Sequence, residues 1–422
     1  MMQALRGTQD ILPADAYKWN YMEGVIRDLC RKYGYGEIRT PIFEATELFQ
    51  RGIGDTTDVV TKEMYTFTDR GGRSCTLRPE NTASAVRAYL EHKLYGDQQV
   101  HKLFYIGSMF RYDRPQAGRY REFHQFGVEV LGADSPAADA EAISLAYTLF
   151  QKLGLKDLVL HINSIGCPKC RPVYRQTLID YFRASDEPLC EDCRERLEKN
   201  PLRVLDCKED SKKESVKHAP EITDYLCEEC REKYEALKKY LTALGIPYEE
   251  DPRLVRGLDY YTNTAFEIQY TPLGAQSAIC GGGRYDGLVE EIGGPHTPSV
   301  GFAVGLERLL LALEMQHLIP EPVQAGHVYI AALGKDAVAA GMKIQQELRA
   351  KGIPTDMDLQ GKSLKGQMKQ AGKSGAGVTV IIGEDELDKG EAVVKNMDAG
   401  TQENISFETV SSYIANGEFA VK

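Results

Sequence analysis

Hydrophobic and polar residues alternate most regularly between residues 103 and 131. Two segments with a period of two, residues 103–113 and 120–131, are separated by the turn-forming stretch RPQAG. Side chains of a strand point alternately to its two faces, so this pattern predicts two long strands joined as a hairpin. Gly107 and Gly127 lie inside the predicted strands, where glycine costs stability and usually marks the close approach of another group.

Helices are predicted on both sides of this hairpin. Residues 14–33 have a helical pattern that ends at the glycines and the proline of YGYGEIRTP. The stretch TLRPENTASAVRAYLEH is typical of a strand end followed by a helix that a proline opens. VGFAVGLERLLLALE, residues 300–314, predicts a strand that runs into an amphipathic helix.

Two further changes of pattern divide the chain. Residues 167 to about 245 are charged and helix-forming, and they separate the predicted strands LVLHINSIG and YEEDPRLVRGLDYYTNTAFEIQY, so we expect a helical insertion. From about residue 327, strand and helix patterns alternate, which predicts a small α/β domain with a mainly parallel sheet. We therefore place one domain at residues 1–325 and a second at residues 326–422.

Composition and charge narrow the class of protein. With 422 residues, 42% of them hydrophobic and 27% charged, the chain fits a soluble globular protein of two or three domains. It has no apolar run of about 18 residues and no basic start leading into an apolar stretch, so we expect no membrane span, no secretory signal and a cytoplasmic location. A formal net charge of −11 argues against nucleic-acid binding by the whole surface but permits a local basic patch.

Cysteines concentrate in the insertion, where seven of the ten lie between residues 167 and 230. In a chain without a secretory signal, their C-x-x-C spacing favours a metal or reduced thiols over disulfides. We predict a structural Zn²⁺ bound by the pairs that bracket the insertion, Cys167 and Cys170 with Cys227 and Cys230. The others, Cys190, Cys193 and Cys207, form an incomplete trio or an alternative partner set. Reduced, helix-capping cysteines are the simpler alternative for all of them.

Arginines cluster at the predicted hairpin turn. Arg111, Arg114 and Arg119 surround a loop that also contains Gln116. Guanidinium groups present forked donors that suit phosphate oxygens, although a solvated basic turn would show the same pattern. Neither CGGGRYDG nor GQMKQAGKS has the spacing of a Rossmann fingerprint or a P-loop, so arginines and a glycine-lined sheet would have to bind any ATP.

A second polar cluster is RGLDYYTNT, residues 256–264, which places a cation, an acid and two phenols in nine positions. Combined with the carboxylates of Glu80 and Glu129 and the amide of Gln125, Arg256 and the phenols of Tyr260 and Tyr261 suit a small zwitterion with a polar side chain. A free amino acid is the simplest ligand of this kind.

Several motifs resemble those of histidyl-tRNA synthetases, a class II aminoacyl-tRNA synthetase family, over nearly the whole chain. FRYDRPQAGRYREFHQFGVEV is similar to motif 2 and GFAVGLERLLLAL to motif 3, which indicate only the class. RGLDYYTNTAFE and GGGRYDGLV are similar to the two histidine signatures of the family, and RGTQDILP and TLRPENTA also fit. The resemblance implies an α+β fold, with a mixed antiparallel class II sheet flanked by helices and a C-terminal α/β anticodon-binding domain. It also implies a homodimer built partly around residues 35–65.

For the amino acid, the resemblance implies a role for each pocket residue. The amino group of histidine would be held by Glu80, Thr82 and Gln125. The imidazole nitrogens would be bound by Glu129 and Tyr261, with Tyr260 lining the pocket.

The resemblance also implies sites for ATP and tRNA. Arg111 would bind the α-phosphate, and Arg119 and Arg308 the outer phosphates and the adenine. Arg256 would contact the reacting carboxylate and phosphate, and Gln116 the tRNA acceptor end. Asn81 and Asp113 depart from the glycine and the glutamate that are common in the family, which affects the local fit of the pocket and of the motif 2 loop.

The implied reaction converts L-histidine and ATP, with Mg²⁺, to histidyl-adenylate and pyrophosphate and then charges the 3′ end of tRNA(His). Attack of a carboxylate on phosphorus needs in-line positioning and charge cancellation rather than a general base. Two alternatives are the synthetase-like regulatory subunit of ATP phosphoribosyltransferase, which lacks an anticodon domain, and another class II synthetase, which would lack RGLDYYTNT.

In the C-terminal domain, lysines recur with spacings of three, four and four residues, at Lys362, Lys365, Lys369 and Lys373. On a helix these ammonium groups form one stripe, which is either a solvated face or a surface for tRNA phosphates. The otherwise acidic chain and the implied anticodon domain favour the second interpretation.

Overall fold

The computed structural model describes residues 2–54, 57–96, 100–207, 209–321 and 327–417. The chain forms two compact units, Met1–Ile319 and Pro320–Lys422. The boundary that we predict between residues 325 and 326 lies at 322–326, outside the described residues. None of the described helices combines the length and the apolar character that are needed to cross a membrane.

The first unit is organised around a large sheet. Its strands in chain order are β1 (Gly36–Glu37), β2 (Phe43–Ala45), β3 (Tyr65–Thr68), β4 (Ser74–Leu77), β5 (His101–Phe110), β6 (Glu122–Leu131), β7 (Leu158–Ser164), β8 (Glu249–Glu250), β9 (Thr262–Tyr270), β10 (Ala278–Arg284) and β11 (Ser299–Gly305). Eight of them form one sheet in the order β1-β5-β6-β11-β10-β9-β7-β8, and β2-β4-β3 form a small second sheet. In the large sheet β1–β5 and β7–β8 are parallel pairs and the other pairs are antiparallel, which confirms the predicted mixed antiparallel sheet.

The predicted hairpin is formed by β5 and β6. Its register pairs Gly107 with Gln125 and Tyr105 with Gly127. On its other side β6 pairs with β11, where Gly301 lies opposite Glu129. Strand β6 therefore lies between β5 and β11 in the interior of the sheet, and Gln125, Gly127 and Glu129 share one of its faces.

Both edges of the large sheet are very short strands. Each of β1 and β8 contains two residues, pairs in parallel with its inner neighbour, and is exposed to solvent.

Helices cover the sheet. In chain order they are α1 (Pro13–Lys32), α2 (Thr46–Ile53), α3 (Thr82–Glu91), α4 (Pro136–Lys152), α5 (Arg171–Ala184), α6 (Glu191–Lys199), α7 (Leu202–Leu205), α8 (Glu214–Lys217), α9 (Glu228–Ala243), α10 (Leu288–Glu291) and α11 (Leu306–Met315). The start of α4 shows how sequence sets a boundary, because Ser135 accepts a hydrogen bond from the backbone N–H of Ala137 (3.2 Å) and proline occupies the first turn. Apolar residues of α1, α4, α9 and α11 pack in one core with β6, β9 and β11.

The predicted insertion consists of α5 to α9 between β7 and β8, so its helical character is confirmed. Its cysteines and the apolar side chains of α5 to α8 belong to a second core, which also contains Tyr260, Tyr261 and Tyr285, whereas α9 packs in the first core. The insertion therefore packs against the strand ends that carry the aromatic residues of the pocket.

The second unit is a five-stranded sheet with helices. Its elements are β12 (Val328–Ala332), α12 (Lys335–Ala350), β13 (Thr355–Met357), α13 (Leu364–Ser374), β14 (Val378–Ile382), α14 (Glu384–Lys389), β15 (Glu391–Asn396), β16 (Gln402–Ser406) and α15 (Val410–Ala415). The expected parallel pairing is confirmed for β13-β12-β14, but β15 and β16 pair antiparallel. Residues 383–390 are too short a connection for a parallel crossover, which takes a dozen or more residues.

The predicted four-lysine stripe is wrong at its first member. Helix α13 begins at Leu364 with Ser363 at its N-cap position, so Lys362 precedes the helix. The Lys362 backbone N–H donates to Asp358 (2.6 Å) and its ammonium group to Gln370 (2.7 Å). Three exposed lysines, at 365, 369 and 373, remain as a stripe on α13.

Candidate active site

A cavity of about 890 Å³ opens in the first unit over β6, β10 and β11. It is lined by nine of the residues proposed from the sequence, namely Glu80, Thr82, Arg111, Arg119, Gln125, Arg256, Tyr260, Tyr261 and Arg308. Glu129 lies behind this lining, and Gln116 lies outside it on the hairpin turn. Arg114 is exposed on the same turn.

One part of the cavity offers acceptors for a positively charged group. The buried carboxylate of Glu80 precedes α3 and accepts hydrogen bonds from the backbone N–H groups of Thr82 (2.6 Å) and Ala83 (3.0 Å). Burial raises the pKa of Glu80. The Oε1 atom of Gln125 is buried and has no hydrogen-bond partner among the described residues. A buried amide oxygen without a partner is costly, so its position points to a ligand that donates a hydrogen bond.

The carboxyl group of Glu129 is at the centre of a buried hydroxyl network. Its Oε1 accepts from the hydroxyl groups of Thr82 (2.8 Å) and Tyr105 (3.3 Å), and its Oε2 accepts from Tyr285. Glu129 is 1% exposed, and burial raises its pKa to about 8 despite these hydrogen bonds. A carboxylate has about four acceptor positions, so one position is left for a further donor.

Aromatic rings form the wall beside this network. The ring centroids of Tyr260 and Tyr261 are 4.7 Å apart, and those of Tyr260 and Tyr285 are 5.6 Å apart. Tyr105 and Tyr285 were not proposed from the sequence. Tyr105 had a signal, because Gly127 opposite it leaves the space that its ring occupies: a Cβ at Gly127 would lie 2.8 Å from Cε2 of Tyr105. The space at Gly107 is likewise filled, by the guanidinium group of Arg78.

Arg256 is held against the glycine strand β10. Its Nη1 donates to Glu267 on β9 (2.7 Å), and a Cβ at Gly281 would lie 2.5 Å from its Cζ. Burial lowers the pKa of Arg256, but the charge of Glu267 reverses this effect and the pKa is raised. The sequence did not indicate Glu267, which anchors the cation that lines the cavity.

Three further arginines, Arg111, Arg119 and Arg308, line the cavity. Arg111 donates through Nε to the backbone carbonyl of Pro79 (2.8 Å), and Nη1 of Arg308 donates to that of Ala278 (2.8 Å). Arg119 forms an ion pair with Asp113. The pKa of Arg308 is lowered, first by burial and then by the charge of Arg119. This positive field suits a polyanion such as a triphosphate.

The two departures from the family pattern have local partners. The Oδ1 atom of Asn81 accepts from the Thr40 hydroxyl (2.7 Å) and from Nη1 of Arg78 (3.2 Å). Asp113 pairs with Arg119, as described above. Both side chains therefore support neighbouring elements of the cavity wall.

The predicted cysteine tetrad is assembled at the base of the insertion. The ligand atoms of Cys167, Cys170, Cys227 and Cys230 all lie within 4.8 Å of one another. The Sγ atom of Cys167 is 3.7 Å from that of Cys170 and 3.9 Å from that of Cys227. Zn–S bonds of about 2.3 Å place tetrahedral sulfur atoms about 3.8 Å apart, so these thiols match the geometry of a Zn²⁺ site.

Comparisons with known proteins agree along the whole chain. A model of the family described as Histidyl-tRNA synthetase matches residues 7–309, and one described as Anticodon binding domain matches residues 327–417. A histidine–tRNA ligase of Desulforamulus reducens is 56% identical over 97% of this chain and 98% of its own, and one of Pelotomaculum thermopropionicum is 58% identical over 97% and 96%. The solved structure of apo S. aureus histidyl-tRNA synthetase is similar with a TM-score of 0.82 and 44% identity, covering 98% of this chain and 100% of that one.

Proposed function

The chain belongs to the histidyl-tRNA synthetase family, and from this premise we propose how its residues carry out the reaction of the family. The enzyme is a histidine–tRNA ligase: it joins L-histidine to ATP, forming histidyl-adenylate and pyrophosphate, and then transfers histidine to the 3′ end of tRNA(His).

The amino group of histidine would bind between Glu80, Thr82 and Gln125. The unpartnered Oε1 of Gln125 is the single observation that best supports this position, because an ammonium group supplies the missing donor. Glu80 has acceptor positions beyond the two that backbone N–H groups of α3 use. The ammonium charge would offset the cost of keeping this buried carboxylate ionised.

The imidazole ring would bind between Glu129 and Tyr261, against the ring of Tyr260. One ring N–H would donate to the remaining acceptor position of Glu129, and the other ring nitrogen would accept from the Tyr261 hydroxyl. An apolar side chain in this place would leave the remaining acceptor position of Glu129 and the Tyr261 hydroxyl without a ligand partner. Sites of this type reject such analogues by about 10⁴-fold or more.

ATP would place its phosphates among the arginines. We assign the α-phosphate to Arg111, and the outer phosphates and the adenine to Arg119 and Arg308. Arg256 would lie beside the reacting carboxylate and phosphorus, where it stabilises charge that develops during attack. Mg²⁺ bound with ATP would neutralise the pyrophosphate, and Glu63 in the cavity lining offers carboxylate oxygens of the kind this ion prefers.

Transfer RNA would contact both units. The exposed lysine stripe of α13 suits phosphates of the anticodon stem, and such contacts position RNA without reading its bases. Gln116, exposed on the hairpin turn next to Arg119, would meet the acceptor end.

We also propose a homodimer formed partly through residues 35–65. Exposed apolar residues in and near the small sheet, Ile42, Phe43 and Phe67, are consistent with a surface that a second copy covers. We propose that the enzyme acts in the cytoplasm, the location expected from the sequence.

The tetrad of Cys167, Cys170, Cys227 and Cys230 would bind one structural Zn²⁺. Its position next to the pocket supports a structural role, because Arg171, which follows Cys170, donates to the backbone carbonyl of Tyr261. Purified protein prepared without chelator should contain zinc, and Cys167→Ser should lose the ion that the tetrad binds. Zinc-free wild-type protein would contradict this assignment.

Pyrophosphate exchange with each of the twenty amino acids tests the proposed activity. Histidine alone should support exchange. Exchange with a different amino acid would indicate another class II specificity, and exchange with none would favour the regulatory-subunit alternative.

A further inference from the structure

The insertion contains a second group of metal-binding side chains, which we call the Cys190 site. It consists of Cys190, Cys193, Cys207 and Asp210, whose ligand atoms all lie within 4.8 Å of one another. The sequence indicates only the three cysteines. The fold adds a buried carboxylate as a fourth member, because Asp210, the first residue of the short helical turn Asp210–Lys212, lies beside Cys190 at the start of α6.

The distances match tetrahedral coordination. The Sγ atoms of Cys190 and Cys207 are 3.8 Å apart, close to the edge of about 3.8 Å that Zn–S bonds of about 2.3 Å produce. Asp210 is fully buried, its Oδ2 accepts from the Cys190 backbone N–H (3.0 Å), and its Oδ1 pairs with Lys213 (2.7 Å). These contacts fix the carboxylate beside the thiols, as the outer partners of a metal ligand do.

A cross-link would stabilise the short helices of this segment beyond their packing in the second core. Helix α6 has nine residues and α7 has four, and isolated helices shorter than about 12–15 residues are marginal in water. A structural metal ion is a common way to order such a short-helix segment.

The Cys190 site lies at the wall of the active-site cavity. Cys190 and Cys207 line that cavity together with Arg203 and Asp206. Arg203 pairs with Asp206 (2.7 Å) and donates to the backbone carbonyls of Arg256 (3.2 Å) and Gly257 (2.8 Å). The segment that the Cys190 site would order is therefore bonded to the backbone that carries Arg256.

We propose that the Cys190 site binds a second Zn²⁺ through three thiolates and the Asp210 carboxylate. This ion holds α6 and α7 in the position from which Arg203 donates to the backbone of Arg256 and Gly257. Binding forms three Zn–S bonds and one Zn–O bond, and each thiol releases its proton to solvent. The ion has no part in bond making at phosphorus. Its role is to position the cavity wall. The proposal rests on the proposed function only where pyrophosphate exchange is measured.

Metal content of the full-length protein, purified without chelator, tests the site directly. Wild type should contain two zinc ions per chain, and Cys207→Ser and Cys170→Ser should each contain one. Cys75→Ser, which changes a buried cysteine outside both groups, should retain two. One zinc ion in wild type, or two in Cys207→Ser, would overturn the proposal.

Asp210→Asn keeps every thiol and nearly the same shape, so it tests the fourth ligand even if Cys207→Ser fails to fold. One of its two zinc ions should be lost to a chelator about 10–100-fold faster than in wild type. Unchanged loss would remove Asp210 from the ligand set and refute the proposal.

The positioning role is tested by pyrophosphate exchange. In Cys207→Ser, kcat/KM for histidine should fall by about 10–100-fold while Cys75→Ser stays at the wild-type value. Loss of one zinc ion with unchanged kinetics would overturn the positioning role. The zinc content of the variants tests only the Cys190 site, whereas histidine-dependent exchange by wild type tests only the proposed function. Either hypothesis can therefore be refuted while the other stands.

Discussion

Replacement of Gly281 by alanine should impair Arg256 by displacing its guanidinium group, although Arg256 itself is unchanged. A Cβ at this position would lie 2.5 Å from Cζ and 2.7 Å from Nη1 of Arg256, whereas ordinary Cβ contacts begin at 3.4 Å. The guanidinium group must therefore move by at least about 0.9 Å, the difference between 2.5 and 3.4 Å, because its Nη2 atom would lie closer still. Its ion pair with Glu267 resists that movement.

Misplacement of a catalytic group by about 1 Å can reduce a rate by about 100-fold, or about 2.7 kcal/mol of transition-state stabilisation. We expect kcat of histidine-dependent pyrophosphate exchange to fall by about this factor in Gly281→Ala, with a much smaller change in KM for histidine. Stopped-flow or quenched-flow measurement of adenylate formation separates this step from product release.

The matched control is Gly287→Ala, since Gly287 belongs to the same glycine-rich signature. A Cβ there meets no atom within 4 Å, and the backbone conformation (φ −93°) accepts alanine. Wild-type kcat in Gly281→Ala would refute the proposed position of Arg256, and equal loss in both variants would show a general effect on the strand and turn.

Three further predictions address the other assignments. Arg256→Ala should lower kcat for adenylate formation by about 10²–10³-fold with little change in histidine affinity, and a variant impaired only in affinity would contradict the assigned role. Because the pKa of Glu129 is raised to about 8, its ionised fraction grows from about one tenth at pH 7 to about nine tenths at pH 9. Deprotonation of the histidine ammonium group over this range affects wild type and Glu129→Gln alike, so the ratio of KM for histidine in Glu129→Gln to that in wild type should rise with pH, and a constant ratio would contradict the role of Glu129. Alanine at the three exposed lysines of α13 should weaken tRNA affinity and reduce the slope of log affinity against log salt concentration by up to about three. The control, Lys343→Ala at an exposed lysine of α12, should reduce this slope by no more than about one. Equal slopes in the triple variant and wild type would show that the stripe is only a solvated face.

Periodic pattern was sufficient to predict the main elements of the fold. The β5–β6 hairpin follows from strict alternation around one turn, and the insertion from a run of charged, helix-forming residues between strands. The antiparallel end of the second sheet was missed because its pairing depends on the length of one connection. Lys362 was misplaced because spacing alone does not show where a helix begins.

The candidate site was predictable where motifs are local. Nine proposed residues line one cavity, although their roles remain predictions. Tyr285 has no local signal because its contact with Glu129 joins residues 156 positions apart. Glu267 is only 11 residues from Arg256, but their pairing depends on how the segment before β9 folds back beside that strand. Asp210 follows Cys207 with the spacing of the C-x-x-C pairs, but an aspartate in that position is recognisable as a candidate ligand only once the structure places it beside Cys190.

The two-residue strands at the edges of the large sheet reduce the risk that the protein aggregates. A long flat strand at a sheet border exposes a row of unpaired N–H and C=O groups, onto which strands of other molecules can add and start aggregates. Here β1 and β8 contain two residues each, and Glu37, Glu249 and Glu250 place negative charge there. Such borders offer little template for strand addition, and the pocket-bearing strands lie in the protected interior of the sheet.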